Sequence, residues 1–270
     1  MTTPSADRAV IHGIEALPTI GPAALCMGVF DGVHRGHLAL AHATIEAAAR
    51  QGAASVALVF DPHPDSVVRP GTVVRRLAAL DRNLRALADA GIDRPLAVRF
   101  DTALQGLTPD AFLRAMRPAI ELRALVMTPG SAFGRNRAGT PDAMRALGAS
   151  AGFELVVAGV VLDGGEPISS ARIRAALLAG ELATASRLLG HPLVLEGELS
   201  EPDGEHRRLV PAYLAALPVA GRYAARLWRA PDVGGGRGVE LIVDGGGTVH
   251  VAGAADLAEG PVTVHLGEAR

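Results

Sequence analysis

Between Ala24 and about Leu189, short apolar runs alternate with amphipathic stretches. The runs Ala24–Phe30, Ser55–Phe60, Pro95–Phe100, Ala124–Thr128 and Glu154–Val160 have the length and apolar character of buried strands. The stretches His37–Arg50, Asp81–Ala90, Pro109–Met116, Pro141–Ser150, Ser170–Ala179 and Leu182–Leu189 predict helices. Apolar strands separated by helices predict an α/β fold, with a parallel sheet covered on both faces. Ligands of such sheets sit beyond the carboxyl ends of the strands, near a topological switch point. After Pro192 the pattern changes. Gly and Pro become dense, and β-like stretches appear at Leu193–Leu199, Tyr223–Trp228, Val239–Val243, Thr248–Val251 and Pro261–Leu266. The runs Gly234–Gly236 and Gly245–Gly247 read as loops and turns. The expected division is a first domain over residues 1–191 and a small β domain over residues 192–270.

Composition narrows the chemistry. The chain is 49% hydrophobic and 20% charged, as globular chains are. Its 26 basic residues against 28 acidic ones leave a net charge of −2. That balance predicts no nucleic-acid partner and no membrane partner. An anionic ligand must be held by local Arg side chains or by backbone N–H groups. Every basic residue is Arg, so a Walker-A lysine, a pyridoxal-phosphate Schiff base and a lysine general base are all excluded. Cys26 is the single cysteine, which excludes an intrachain disulfide and a cysteine zinc site; it reads as a small buried hydrophobe. The apolar run Ala16–Phe30 is broken by Pro18 and Pro22 and is too short to span a bilayer, so a soluble cytoplasmic chain is expected.

The strongest motif is Gly28-Val29-Phe30-Asp31-Gly32-Val33-His34-Arg35-Gly36-His37, which follows a strand and opens a helix. His34 and His37 share one face of the first helical turn. That turn offers unpaired N–H donors and the positive end of the helix dipole. Gly32 and Gly36 let phosphate oxygens approach the backbone closely. Two imidazoles over such a helix start suit phosphoryl or nucleotidyl chemistry; two incidental surface histidines are the alternative. Two histidines are too few for a metal site, and the metal ligands stay unknown. Gly28, Phe30, Asp31, Gly32 and Gly36 are the candidate nucleotide-binding residues of this loop. A second motif is Ile168-Ser169-Ser170-Ala171-Arg172-Ile173-Arg174. One of its serines is a natural helix N-cap. Ser169, Ser170 and Arg174 can also cradle a leaving pyrophosphate.

Together these motifs resemble the HxGH and ISSTxxR motifs of the nucleotidyltransferase superfamily. Phe60-Asp61-Pro62-His63-Pro64 resembles the FxPHP loop of the bacterial FAD synthetases, the bifunctional riboflavin kinase/FMN adenylyltransferases. Phe133-Gly134-Arg135-Asn136-Arg137-Ala138-Gly139 is similar to the second half of their GxDFxFGxxRxG segment, and Leu188-Leu189-Gly190-His191-Pro192 to their LLGRP junction. The resemblance implies a Rossmann-like nucleotidyltransferase domain followed by a small β-barrel-like domain. It implies that the phosphate of FMN attacks the α-phosphorus of ATP, with Mg²⁺, giving FAD and pyrophosphate. His34 and His37 would bind the ATP phosphates, and Ser169, Ser170 and Arg174 would hold the β- and γ-phosphates. Asp61, Pro62, His63, Pro64, Phe133 and Gly134 would lie on the flavin side.

The sequence departs from the family at several points. The GxDF segment reads Thr128-Pro129-Gly130-Ser131, with Gly130 for the Asp and Ser131 for the aromatic. Ala171 replaces the Thr of ISSTxxR, and the LTxxxEK-like segment reads Leu77-Ala78-Ala79-Leu80-Asp81-Arg82-Asn83. In the β domain the kinase's PTAN motif is replaced by Pro211-Ala212-Tyr213-Leu214. The ExHLLDF-like segment Val262–Leu266 has no Glu at the base position, and Glu268 follows too late in register. The expectation is adenylyl transfer without riboflavin kinase activity. Transfer to another phosphorylated acceptor, or a non-catalytic nucleotide- or flavin-binding regulator, are the alternatives. The Arg75-Arg76 and Arg207-Arg208 pairs read as solvated, and Tyr223 and Trp228 as core.

Overall fold

The five strand runs pair into one parallel sheet in the computed structural model, which describes residues 10–204, 206–229 and 235–267, and of residues 201–203 the backbone alone. The strands are β1 (Gly21–Gly28), β2 (Ala54–Asp61), β3 (Arg94–Arg99), β4 (Ile120–Met127) and β5 (Glu154–Val157). The helices between and beside them are α1 (Arg35–Gln51), α2 (Pro64–Val68), α3 (Leu80–Asp89), α4 (Thr102–Gly106), α5 (Pro109–Met116) and α6 (Pro141–Ala151). The spatial order is β3-β2-β1-β4-β5. The chain runs outward from β1 to β3 and then returns to the other side of β1, so the switch point lies between β1 and β4.

Alternation along the strands builds two cores. Ala23, Leu25, Val56 and Leu58 pack on one face with Phe112 and Met116 of α5 and Met144 of α6. Ala24, Cys26, Ala57, Val59, Ala97 and Ala124 form the other face, where small residues let α1 and α3 lie close against the sheet. Cys26 is buried there as expected, and burial pushes its thiol pKa up to about 12. Local signals set the helix ends. Thr108 and Thr140 cap α5 and α6 ahead of Pro109 and Pro141, and left-handed Gly52 and Gly152 close α1 and α6.

Two compact units are present, one of Met1–Val74 with Leu80–Leu162 and one of Arg75–Ala79 with Asp163–Arg270. The change of texture after residue 191 marks the start of the barrel strands; the helices α7 (Ser170–Leu178) and α8 (Leu182–Leu189) belong with the barrel. A short hairpin of β6 (Leu162–Asp163) and β7 (Glu166–Pro167) precedes them. The barrel closes through β8 (Leu193–Asp203), β9 (His206–Pro211), β10 (Gly221–Trp228), β11 (Arg237–Val243), β12 (Val249–Ala252) and β13 (Gly260–Leu266), in the order β10-β11-β12-β9-β8-β13. Leu193, Leu195, Leu199, Leu209, Leu227, Leu241 and Val264 are buried in this unit. Gly197 is required where β8 meets β9, because a Cβ there would lie 2.3 Å from the Val210 carbonyl oxygen.

Two expectations for the β domain are corrected. Strand β9 was not foreseen, because its Arg207-Arg208 pair reads as solvated. Arg207 is in fact only 7% exposed, and its guanidinium donates to the carbonyls of Ser200 (2.8 Å) and Ala255 (3.5 Å). Trp228 is half-buried rather than core, with its ring centroid 4.3 Å from that of His265. Tyr223 is half-buried too.

Candidate active site

The loop from β1 to α1 lies at the switch point and carries the first motif. Phe30 (φ 52) and Val33 (φ 37) both take left-handed backbone conformations. For a β-branched residue this is rare, and it persists only where the surroundings over-determine it. Both side chains are buried, and the Val33 amide donates to the Phe30 carbonyl at 3.1 Å. Between them Gly32 (φ 81) donates its amide to Asn83 Oδ1 at 3.0 Å. His34 is the N-cap of α1, and the His37 amide donates to its Nδ1 at 3.3 Å. That bond requires Nδ1 to be unprotonated, which places the ring proton of neutral His34 on Nε2. The His34 and His37 rings stack at 3.6 Å and 13°, and Phe30 tilts against His37 at 5.2 Å. His37 Nδ1 is buried without a partner. Burial, and then the neighbouring His34, hold His37 well below the usual histidine range, so it is neutral near pH 7. Asp31 is buried in the same turn, Gly28 ends β1, and Gly36 lies in the first turn of α1. The loop thus gathers Gly28, Phe30, Asp31, Gly32, His34, Gly36 and His37. Neutral imidazole donors and helix N–H groups together can hold a phosphate and stabilise charge that develops on it.

The flavin-side candidates come from the ends of β2 and β4. Asp61 ends β2, and the Asp61–Pro62 peptide is cis. His63 caps the short α2, accepting the Asp65 amide on Nδ1 at 3.1 Å; Pro64 opens that helix. Phe60 packs edge-on against Phe100 (5.6 Å) and Phe112 (6.5 Å), and Phe112 packs against Phe133 (5.4 Å). Phe112 therefore joins the Phe60–Pro64 loop to the Phe133–Gly139 loop. Gly134 (φ 71) cannot carry a side chain, since a Cβ would lie 2.9 Å from the Pro109 ring. After β4, Ser131 closes the substituted segment as a turn: its hydroxyl donates to the Thr128 carbonyl at 2.8 Å and accepts the Thr128 amide at 3.2 Å. A Cβ at Gly130 would meet nothing within 4 Å.

The second motif lies in the second unit. Ser169 caps α7 by accepting the Arg172 amide at 3.2 Å, and Ser170 is the first helical residue. Ile173 and Leu177 anchor the helix in its core. Arg172 is tied locally, with Asp163 at 3.6 Å and Glu166 at 3.4 Å. The Nε of Arg174 donates to the Arg75 carbonyl at 2.7 Å, which fixes the guanidinium's place in this unit. Where the kinase motif would stand, the Ala212 amide donates to the Glu196 carbonyl (2.9 Å) and the Tyr213 hydroxyl to the Val194 carbonyl (3.2 Å). Thr263, two residues before His265, pairs in register with Glu196. Glu268 lies outside the described residues. Among the described residues, no group of three or more His, Cys, Asp or Glu side chains is placed to hold a metal ion.

The sequence marks Asn83 only as a departure in the LTxxxEK-like segment. Its signal was a polar residue on the apolar stripe of α3, between Leu80 and Leu84 and below Leu87. Its partner Gly32 lies 51 residues away, which no local pattern reveals.

Comparison with known proteins bears on this arrangement. The family model for FAD synthetase matches residues 18–172. The chain is 32% identical over 224 residues to the bifunctional riboflavin kinase/FMN adenylyltransferase of Escherichia coli K12, covering 80% of this chain and 71% of that one. It is 32% identical over 184 residues to a putative bifunctional riboflavin kinase/FMN adenylyltransferase of Geobacillus thermodenitrificans, covering 68% of this chain and 98% of that one. A crystal structure described as a macrolide-efflux protein from Streptococcus pneumoniae covers 96% of this chain and 90% of its own, with a TM-score of 0.81 at 21% identity; that likeness concerns the fold alone. Among the described residues no helix is long and apolar enough to cross a membrane.

Proposed function

Because the chain belongs to the FAD synthetase family, we propose that it transfers the adenylyl group of Mg²⁺-ATP to FMN, giving FAD and pyrophosphate, and that it has no riboflavin kinase activity. It is an FMN adenylyltransferase-like nucleotidyltransferase. The observation that carries the reading is the stacked His34–His37 pair at the start of α1, set at the switch point of the parallel sheet.

In the proposed reaction an oxygen of the FMN phosphate forms a bond to the α-phosphorus of ATP. The bond from that phosphorus to the bridging oxygen of the β-phosphate breaks, and pyrophosphate leaves with the electron pair. No protein nucleophile is needed. The work is positioning and charge stabilisation, which suits imidazole, guanidinium and backbone N–H donors. His34 Nε2–H, the imidazole of His37 stacked on it and the first amides of α1 are the proposed donors to the ATP phosphates. Ser169, Ser170 and Arg174 are proposed, from their motif, to hold the β- and γ-phosphates. The Phe60–Pro64 and Phe133–Gly134 segments are proposed for the flavin side. Mg²⁺ would enter with ATP as part of the substrate and would offset charge on its phosphates.

Loss of the kinase is supported by Ala212 and Leu214 in place of the motif's Thr and Asn, and by Thr263 two residues before His265. The turn closed by Ser131 favours a second reading, a different phosphorylated acceptor, because it stands where the family has Asp and an aromatic residue. The test is to incubate the pure chain with Mg²⁺-ATP and FMN, and separately with riboflavin, and to separate the flavins chromatographically. FAD from FMN and no FMN from riboflavin are expected. His37→Ala is expected to lower kcat by roughly 100-fold or more, as loss of a donor to transition-state charge does. Nucleotide binding without FAD formation would refute FMN as acceptor, and an unimpaired His37→Ala variant would refute the site.

A further inference from the structure

Asn83 stands on the core stripe of α3, where Leu84 and Leu87 are fully buried and Asn83 itself is 1% exposed. Its Oδ1 accepts the Gly32 amide at 3.0 Å, and its Nδ2 is buried with no partner. A helix face that needed only packing would be better served by another apolar residue, since a buried amide left half-satisfied is unfavourable. What the position supplies is the bond to Gly32. That glycine lies between Phe30 and Val33, the two residues in left-handed conformations. Val33 leads directly into His34, the N-cap of α1 that stacks on His37. The bond also engages the Gly32 amide with α3.

We infer that Asn83 is a positioning residue of the nucleotide-binding loop: through the Gly32 amide it holds the path that delivers His34 and His37. The inference rests on the nucleotide reading of that loop. It does not depend on which acceptor is used.

The test uses the full chain. Asn83→Leu and Asn83→Ala remove the acceptor oxygen, and Asn83→Asp keeps one. Three quantities are measured: hydrogen exchange at the Gly32 amide, equilibrium binding of Mg²⁺-ATP without FMN, and kcat and KM for FAD formation. All are read at a temperature where circular dichroism shows the variant folded. In the Leu and Ala variants, Gly32 exchange is expected to quicken at least about 10-fold. ATP affinity and kcat/KM for ATP are expected to fall on the order of 10- to 100-fold, with KM for FMN little changed. Asn83→Asp is expected to keep slow Gly32 exchange. A folded Leu or Ala variant with native exchange, or with native ATP binding and kinetics, would overturn the inference. If neither folds, Asn83→Asp decides, fast Gly32 exchange overturning the inference and slow exchange upholding it. Should the native chain bind ATP yet make no FAD, the acceptor assignment fails, and Asn83 is then judged on exchange and ATP binding alone.

Discussion

At the scale of single residues, His37 makes the site sensitive to acid in a definite direction. Burial, and then His34, depress its pKa well below the ordinary value of 6.5. As pH falls through that value, the unfolded chain takes up a proton at His37 and the folded chain does not. Stability is therefore present above about 6.5 and is lost as pH drops below it, by up to about 1.4 kcal/mol per pH unit until the folded pKa is reached. Urea unfolding across that range checks this. The stability of the native chain is expected to fall more steeply than that of His37→Asn; parallel curves would show that His37 titrates normally. The same residue shows what the sequence could reveal. His34 and His37 are three residues apart at a helix start, so their spacing alone marks them as neighbours. Their stacking could not be read, because it follows from the cap that His34 forms on the His37 amide. Asn83 could not be read at all, since its role depends on a bond between two distant elements.

Among the elements, α7 separates two meanings of one side chain. The Ser169 hydroxyl accepts the Arg172 amide and is also proposed to meet phosphate. Ser169→Ala is expected to lower stability by about 1 kcal/mol, whereas Ser169→Gly, a tolerated cap, lowers it by only a few tenths. Thermal or urea unfolding measures that difference. If the hydroxyl also binds ATP, both variants raise KM for ATP alike, although their stabilities differ. Equal stability with unequal KM would refute the cap-plus-ligand account. Legibility at this scale followed burial. The sheet strands were visible because each holds a continuous apolar run, and the longer helices because they are amphipathic. Strand β9 escaped because half its residues are charged or polar, and Arg207 is buried through carbonyl bonds that no periodicity encodes. The observed β4 begins earlier than the expected run, because Glu121 and Arg123 break its apolar pattern while its backbone still pairs with β1.

At the scale of the whole chain, a complete barrel persists where the kinase chemistry is proposed to be lost. The barrel closes on its own hydrogen bonds and its own apolar interior, and neither requires the Thr and Asn of the kinase motif. The replaced segment is instead built into the wall, with the Ala212 amide on Glu196 and the Tyr213 hydroxyl on Val194. Restoring two residues should then be insufficient. The double variant Ala212→Thr/Leu214→Asn is expected to fold and still to make no FMN from riboflavin and Mg²⁺-ATP, because Tyr213 keeps its bond to β8 and Thr263 still supplies no carboxylate. Adding Thr263→Glu places an acidic group two residues before His265, on a strand already paired to β8 and β10. Flavin chromatography after prolonged incubation distinguishes the cases. FMN from the native chain would show that the remnant still works, and FMN from the double variant would show that the missing Thr and Asn were the whole deficit. If FMN appears only in the triple variant, the absent base and the altered motif together account for the silence of the barrel.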